Sequence, residues 1–266
     1  MLRNVFLKTV RDQSRALLFW GFGLVGLSLY ATLFYPTIRD MPELNKLVEG
    51  LPEALKVMFL GEMGDFTSPV GYLNTELFFL WMPILFLVFT IGFGSGAIAG
   101  EEERGTLDLL LSHPLPRWRV VAEKFSAMVV ASLALAFALW VGLAIGVTAV
   151  NMDISLGRVA EATLSGSLLG LVFGMVTLAL GCATGNRGLS IGGAGALAVA
   201  AYILNSFARL TEVLKPYRKL SPFYYHVTSD PLANGLNLGD AGVLMGLIVA
   251  LLVVALITFQ RRDLAV

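Results

Sequence analysis

Residues 101–117 read Glu-Glu-Glu-Arg-Gly-Thr-Leu-Asp-Leu-Leu-Leu-Ser-His-Pro-Leu-Pro-Arg. This charged stretch lies between two apolar runs, at about 77–100 and 125–152, and each run is long enough to cross a lipid bilayer. Ionised groups are costly in hydrocarbon, so the stretch cannot face lipid. We expect it to form a loop outside the membrane.

The loop has a helical pattern of its own. Leu107, Leu110 and Leu111 are spaced as neighbours on one face of a helix. Pro114 and Pro116 follow them, and proline ends a helix because its ring clashes with the preceding turn. The pattern predicts a short helix with one apolar face, which would suit docking to a soluble partner.

The composition of the whole chain indicates an integral membrane protein. Of 266 residues, 56% are hydrophobic and 14% are charged, whereas soluble domains carry about 25% charged residues. Nineteen basic and nineteen acidic residues give a net charge of zero, which argues against a nucleic-acid-binding protein. The single cysteine, Cys182, lies in an apolar run and cannot form a disulfide within the chain.

Six apolar runs are long enough to cross the membrane as helices. They lie at about 16–35, 77–100, 125–152, 163–186, 189–208 and 241–260. No Asp, Glu, Lys, Arg or His occurs inside them, which disfavours an ion-coupled carrier. The first run is too long for a cleavable signal peptide, so we expect it to be retained. The predicted fold is an all-α membrane protein with six transmembrane helices in a single domain over residues 1–266.

The distribution of charge predicts the orientation. If the N-terminus is cytoplasmic, that side carries eleven basic and seven acidic residues, and the other side carries an acidic excess. Basic residues accumulate on the cytoplasmic side, so both termini and the 101–117 loop are predicted to be cytoplasmic. Before the first run, Val5, Phe6 and Val10 alternate with Lys8 and Arg11. This pattern predicts an amphipathic helix at the cytoplasmic interface; a frayed terminus is the alternative.

Glycine recurs every four residues in two of the runs, which places each set on one helix face and permits close helix packing. The two sets are Gly92, Gly96 and Gly100, and Gly166, Gly170 and Gly174. Packing within one chain and a subunit interface both remain open.

Motifs of catalysis are missing from the sequence. There is no HExxH, no GxSxG and no Walker A sequence. The two histidines, His113 and His226, are predicted to lie on opposite sides of the membrane. We therefore expect no catalytic, metal or cofactor site in this chain.

The 101–117 stretch resembles the signature of ABC-2 type permeases. In that family, E-E-x-x-G-T-(L/I)-(E/D)-x-L-L-(S/T)-x-P follows the second of six spans. Residues 259–264, Phe-Gln-Arg-Arg-Asp-Leu, are similar to the usual ending of such permeases. The loop lengths are similar to those of permeases for antibiotic export and for copper delivery.

The resemblance implies the transmembrane subunit of an ABC transporter, an exporter in the cytoplasmic membrane of a prokaryote. Two permease chains, identical or closely related, would pair, and two soluble subunits would bind ATP and Mg²⁺ and push on the loop helix. An ATP-independent secondary transporter and a structural membrane protein are the alternatives. The residues implied in coupling are Glu101, Glu102, Glu103, Gly105, Thr106, Leu107, Leu110, Leu111 and Pro114.

The three glutamates have two possible roles. They could pair with basic groups of the ATP-binding subunit, or they could cap the N-terminus of the loop helix, where negative charge is favourable.

Overall fold

The computed structural model describes residues 4–41, 43–56, 65–111 and 115–262, and every regular element in those ranges is helical. In chain order the helices are α1 (Val5–Asp12), α2 (Ser14–Arg39), α3 (Glu43–Glu49), α4 (Glu53–Leu55), α5 (Pro69–Leu73), α6 (Trp81–Ala97), α7 (Ala99–Glu103), α8 (Leu107–Leu111), α9 (Arg117–Ala149), α10 (Leu156–Thr184), α11 (Arg187–Leu210), α12 (Pro222–Val227), α13 (Pro231–Asn234) and α14 (Leu238–Arg261). A π-helical turn, Asn74–Phe78, joins α5 to α6, and a 3-10 helix, Lys215–Leu220, precedes α12.

Six helical segments are long and apolar enough to cross a membrane, which confirms the predicted fold class. They are Ser14–Arg39, Pro69–Ala97, Arg117–Ala149, Leu156–Thr184, Arg187–Leu210 and Leu238–Arg261. Most of these helices extend beyond the apolar runs, because polar residues at the ends continue the helix outside the apolar stretch.

The second span begins earlier than its apolar run suggests. The Ser68 hydroxyl accepts a hydrogen bond from the Gly71 amide at 3.1 Å and caps the helix there. The helical segment therefore includes Glu76, which the predicted boundary at 77 had left outside. The sequence expectation of a second span free of ionisable residues is corrected on this point.

The helix at the centre of the bundle is α10, which packs against α6, α9, α11 and α14. Its glycines let α6 approach closely: a Cβ at Gly170 would lie 2.8 Å from the Phe86 Cβ, and one at Gly174 would lie 2.7 Å from the Thr90 Cβ. At Gly166 a Cβ would also collide with α6. The Thr90 hydroxyl donates a hydrogen bond to the Gly170 carbonyl at 2.6 Å. This glycine face lies against another helix of the same chain.

The glycines of the second span are arranged differently. A Cβ at Gly92 or Gly96 would have no described atom within 4 Å, whereas one at Gly94 would lie 2.5 Å from the Gly174 carbonyl oxygen. Successive helical residues are rotated by about 100°, so residues two positions apart point in nearly opposite directions. The face turned towards α10 is thus that of Gly94. Gly100 lies beyond the end of α6, buried in α7.

The predicted amphipathic helix is α1, which lies along α9 with Val5 and Thr9 buried. The Phe6 amide donates to the Glu123 carboxylate of α9 at 3.0 Å. The end of α14 lies near the same end of the bundle, because Arg262 contacts Glu102. We call this the glutamate end, defined by residues 101–103.

At the opposite end, His226 in α12 is buried between two spans. Its Nε2 lies 3.2 Å from the Phe78 carbonyl oxygen, and its Nδ1 lies 2.9 Å from the Ser165 hydroxyl. A carbonyl can only accept, so Nε2 carries the proton and Nδ1 accepts from Ser165. Burial lowers the pKa of His226, and the Phe78 carbonyl and Asp230 oppose the shift only in part.

Two short helices, α3 and α4, follow the first span. Asp65 connects this region to the start of the second span, since its carboxylate accepts hydrogen bonds from the Asn45 side chain and from the Thr67 amide, the latter at 2.9 Å.

Candidate functional site

The loop that was predicted to contact a partner begins where the helix of the second span is interrupted. After α6 ends, α7 adds little more than one turn and closes at Gly105, whose φ is +65°. The Gly105 amide donates to the Glu102 carbonyl at 2.9 Å, and the Thr106 amide donates to the Glu101 carbonyl at 2.9 Å. This pair of bonds is a Schellman cap, which favours glycine at the left-handed position. It turns the chain sharply before α8.

The turn places the first residue of α8 against the bundle. Leu107 is only 1% exposed and belongs to the hydrophobic core, and Leu110 is partly buried against that core. The expectation that Leu107 offers its side chain to a partner is therefore not met, because the Schellman turn directs it inward. The side chain of Leu111 is not described, and Pro114 and His113 lie outside the described residues.

Glu101 forms an ion pair inside the protein. Its carboxylate contacts the Lys124 ammonium of α9, and both side chains are almost fully buried. The Lys8 ammonium of α1 lies 3.7 Å from the same carboxylate oxygen and is partly exposed. One carboxylate thus connects α7 with α1 and α9.

Glu102 pairs with a basic residue from the other end of the chain. Its carboxylate contacts the guanidinium of Arg262, which directly follows α14. A Cβ at Gly185 would lie 2.7 Å from this carboxylate oxygen, so the pair lies directly against the glycine that ends α10. Glu102 therefore connects α7 with α10 and α14.

Glu103 remains exposed, and its carboxylate accepts a hydrogen bond from the backbone amide of Arg187 at 3.3 Å. This amide belongs to the first turn of α11, where helices carry unpaired N–H groups and favour negative charge. Three consecutive glutamates thus reach three different parts of the bundle.

The glutamates were expected either to pair with basic groups of the ATP-binding subunit or to cap the loop helix. All three carboxylates have partners within the chain; Glu101 pairs with Lys124 of α9, and Glu102 pairs with Arg262, which follows α14. The three glutamates therefore connect the single turn of α7 to several neighbouring helices. Among the described residues of the loop, the exposed polar side chains are Glu103, Arg104 and Asp108.

Sequence reasoning did not predict the basic partners of the loop. Lys124, Lys8 and Arg262 were treated as markers of orientation, although the Lys124 side chain is only 3% exposed. The available signal was that three adjacent carboxylates require counterions, which the ends of the spans on the same side supply. Which residue pairs with which depends on the order of the helices in the bundle.

Comparison with known proteins identifies the family. Residues 3–264 match the ABC-2 family transporter proteins. The chain belongs to this family. It is therefore a multi-pass membrane protein of the permease type, the membrane component of an ABC transporter. The permease is also 26% identical over 208 residues to the uncharacterized protein YhcI of Bacillus subtilis (strain 168), a match that covers 68% of this chain and 66% of the relative.

Proposed function

We propose that this permease is the transmembrane subunit of an ATP-driven exporter whose energy comes from a separate ATP-binding subunit. That subunit docks at the glutamate end, which we place in the cytoplasm on the excess of basic residues. ATP and Mg²⁺ bind to the partner, and this chain binds neither.

One observation carries the proposal: the exposed loop is tied to almost every spanning helix. Through the three glutamates, α7 contacts α1, α9, α11 and the residue that follows α14, and Leu107 anchors α8 in the core. A force on the loop would reach the spans directly, because the ion pairs of Glu101 with Lys124 and of Glu102 with Arg262 are short and partly or fully buried. An ATP-driven subunit must act on a segment that is connected to the spans in this way.

The complete transporter would contain two ATP-binding subunits and two permease chains, either a homodimer or a pair of close paralogues, in the cytoplasmic membrane of a prokaryote. The sides of α2 and α14 that face away from the bundle are apolar and exposed, with Phe19, Phe22, Val249 and Val253 among them. Lipid or a second chain covers such surfaces in a membrane.

Co-purification tests the docking site. The full chain is expressed with a candidate ATP-binding subunit, and capture is compared for the wild type, Arg104→Glu and Asp108→Arg. Both substitutions alter exposed residues, so they are expected to reduce capture while the chain still inserts. Lys215→Ala, an exposed residue at the opposite end, serves as the control. Full capture by both loop variants would refute this docking surface.

A further inference from the structure

Arg262 makes three side-chain contacts at the glutamate end. It follows α14, and its side chain is 16% exposed, while the preceding Arg261 is exposed. One guanidinium nitrogen contacts Glu102, and the other donates to the carbonyl oxygens of Gly181 and Cys182, each at 3.3 Å. We call this set of four residues the clasp.

The clasp satisfies the end of α10. The last carbonyls of a helix lack partners within the helix, and positive charge is favourable there. The planar guanidinium of arginine reaches two carbonyls and a carboxylate at once, which an ammonium group does less well. Arg117 of α9 in turn donates to the Arg262 carbonyl at 2.8 Å and fixes the backbone of the residue.

Gly185 provides the space for this arrangement. Its φ of +67° ends α10 in the left-handed conformation, and a Cβ there would lie 2.2 Å from the Arg262 nitrogen. The guanidinium thus occupies the volume that any other side chain would need.

We propose that Arg262 is a positioning residue that makes α14 and the end of α10 move together with α7. Without it, Glu102 would lose its cationic partner, and α14 would lose its direct bond to the loop. The motion would come from the ATP-binding subunit and therefore rests on the proposed function, whereas the clasp is a property of the permease alone. The two are therefore tested separately.

The first experiment uses the permease without a partner. Cys182 is the only cysteine, it is buried, and its carbonyl belongs to the clasp. Its reaction with N-ethylmaleimide is followed in inside-out membrane vesicles. Arg262→Ala removes the hydrogen bonds of a charged group to the end of α10, so it should accelerate labelling about tenfold or more. Arg262→Lys should fall between, and Arg261→Ala, the matched control, should match the wild type.

Equal labelling of Arg262→Ala and Arg261→Ala would overturn the clasp. Circular dichroism and a melting curve distinguish release of the clasp from general unfolding, because only the latter changes the helix content.

The second experiment tests transmission in the complex with the ATP-binding subunit. Spin labels at Ser126→Cys on α9 and Gln260→Cys on α14, in a Cys182→Ser background, report the distance between these exposed positions. ATP is expected to change this distance in the wild type and in Arg261→Ala. In Arg262→Ala the change should disappear while ATP hydrolysis continues.

The outcomes separate the two proposals. A full ATP-dependent change in Arg262→Ala refutes the role of Arg262 in transmission. If the wild type captures no ATP-binding subunit, the proposed function fails, and the labelling of Cys182 still decides whether the clasp exists.

Discussion

The Glu101 carboxylate and the Lys124 ammonium form an ion pair that is almost completely shielded from solvent, with side chains 6% and 3% exposed. The residues are 23 positions apart and join α7 to α9. Two buried charges of opposite sign tolerate each other, but either one alone is costly. Removal of only one of the two charges should therefore destabilise the glutamate end.

Lys124→Ala should lower the stability of the permease by about 3–5 kcal/mol, because it leaves the Glu101 charge buried without its main partner. Thermal unfolding in detergent measures the change. The double variant Glu101→Gln/Lys124→Met should be less destabilised than Lys124→Ala alone. The control is Lys215→Ala, which removes an exposed ion pair and should have little effect. Equal melting temperatures for the two lysine variants would contradict burial of the pair.

Gly170→Ala should destabilise the bundle, because the new methyl group would lie 2.8 Å from the Phe86 Cβ. Gly92→Ala should be neutral or stabilising by up to about 1 kcal/mol, since alanine favours helix and no described atom lies within 4 Å. Melting curves of the two variants compare the glycine faces directly. A strongly destabilising Gly92→Ala would show that a second chain covers this face.

Gly105→Ala and Gly185→Ala form a matched pair, because the two glycines have φ values of +65° and +67°. The left-handed conformation costs a residue with a Cβ about 1–2 kcal/mol, which both variants should show. Gly185→Ala should cost more and should accelerate labelling of Cys182, since its methyl group displaces Arg262. Similar stability and labelling for both variants would argue against crowding at Gly185.

His226 should make stability depend on pH. Burial lowers its pKa below the ordinary 6.5, so the unfolded chain binds the proton more readily than the folded chain. The contribution of neutral His226 to the stability is fully present above about pH 7. It declines as the pH falls through 6.5 towards the folded pKa. His226→Gln keeps a donor and an acceptor and should remove this decline. Melting temperatures between pH 8 and 5 measure it, and an unchanged pH profile in His226→Gln would place the titrating group elsewhere.

The spans were predictable because hydropathy over about 20 residues reflects the thickness of the bilayer. The ends of the spans were less predictable. Ser68 begins the second span through a local cap, which an average over apolar residues does not detect. The face of α6 that packs against α10 was not evident from the glycine spacing, because GxxxG marks Gly92 and Gly96, whereas Gly94 makes the contact.

The position of the candidate site was predictable, while its internal contacts were not. A charged segment between two spans must leave the hydrocarbon, and that much follows from electrostatics alone. The inward turn of Leu107 depends on the left-handed Gly105, and the pairing of Glu102 with Arg262 joins residues 160 positions apart. Such contacts are set by the arrangement of helices around α10.

The length of α9 has a consequence for the membrane. Its 33 residues measure about 50 Å as an α-helix, whereas the hydrocarbon core is about 30 Å thick. Residues 117–124 account for about 10 Å of the excess and carry the partners of α7 and of the chain end. This length allows the glutamate end to lie outside the hydrocarbon core, where a water-soluble subunit could contact it without entering the bilayer.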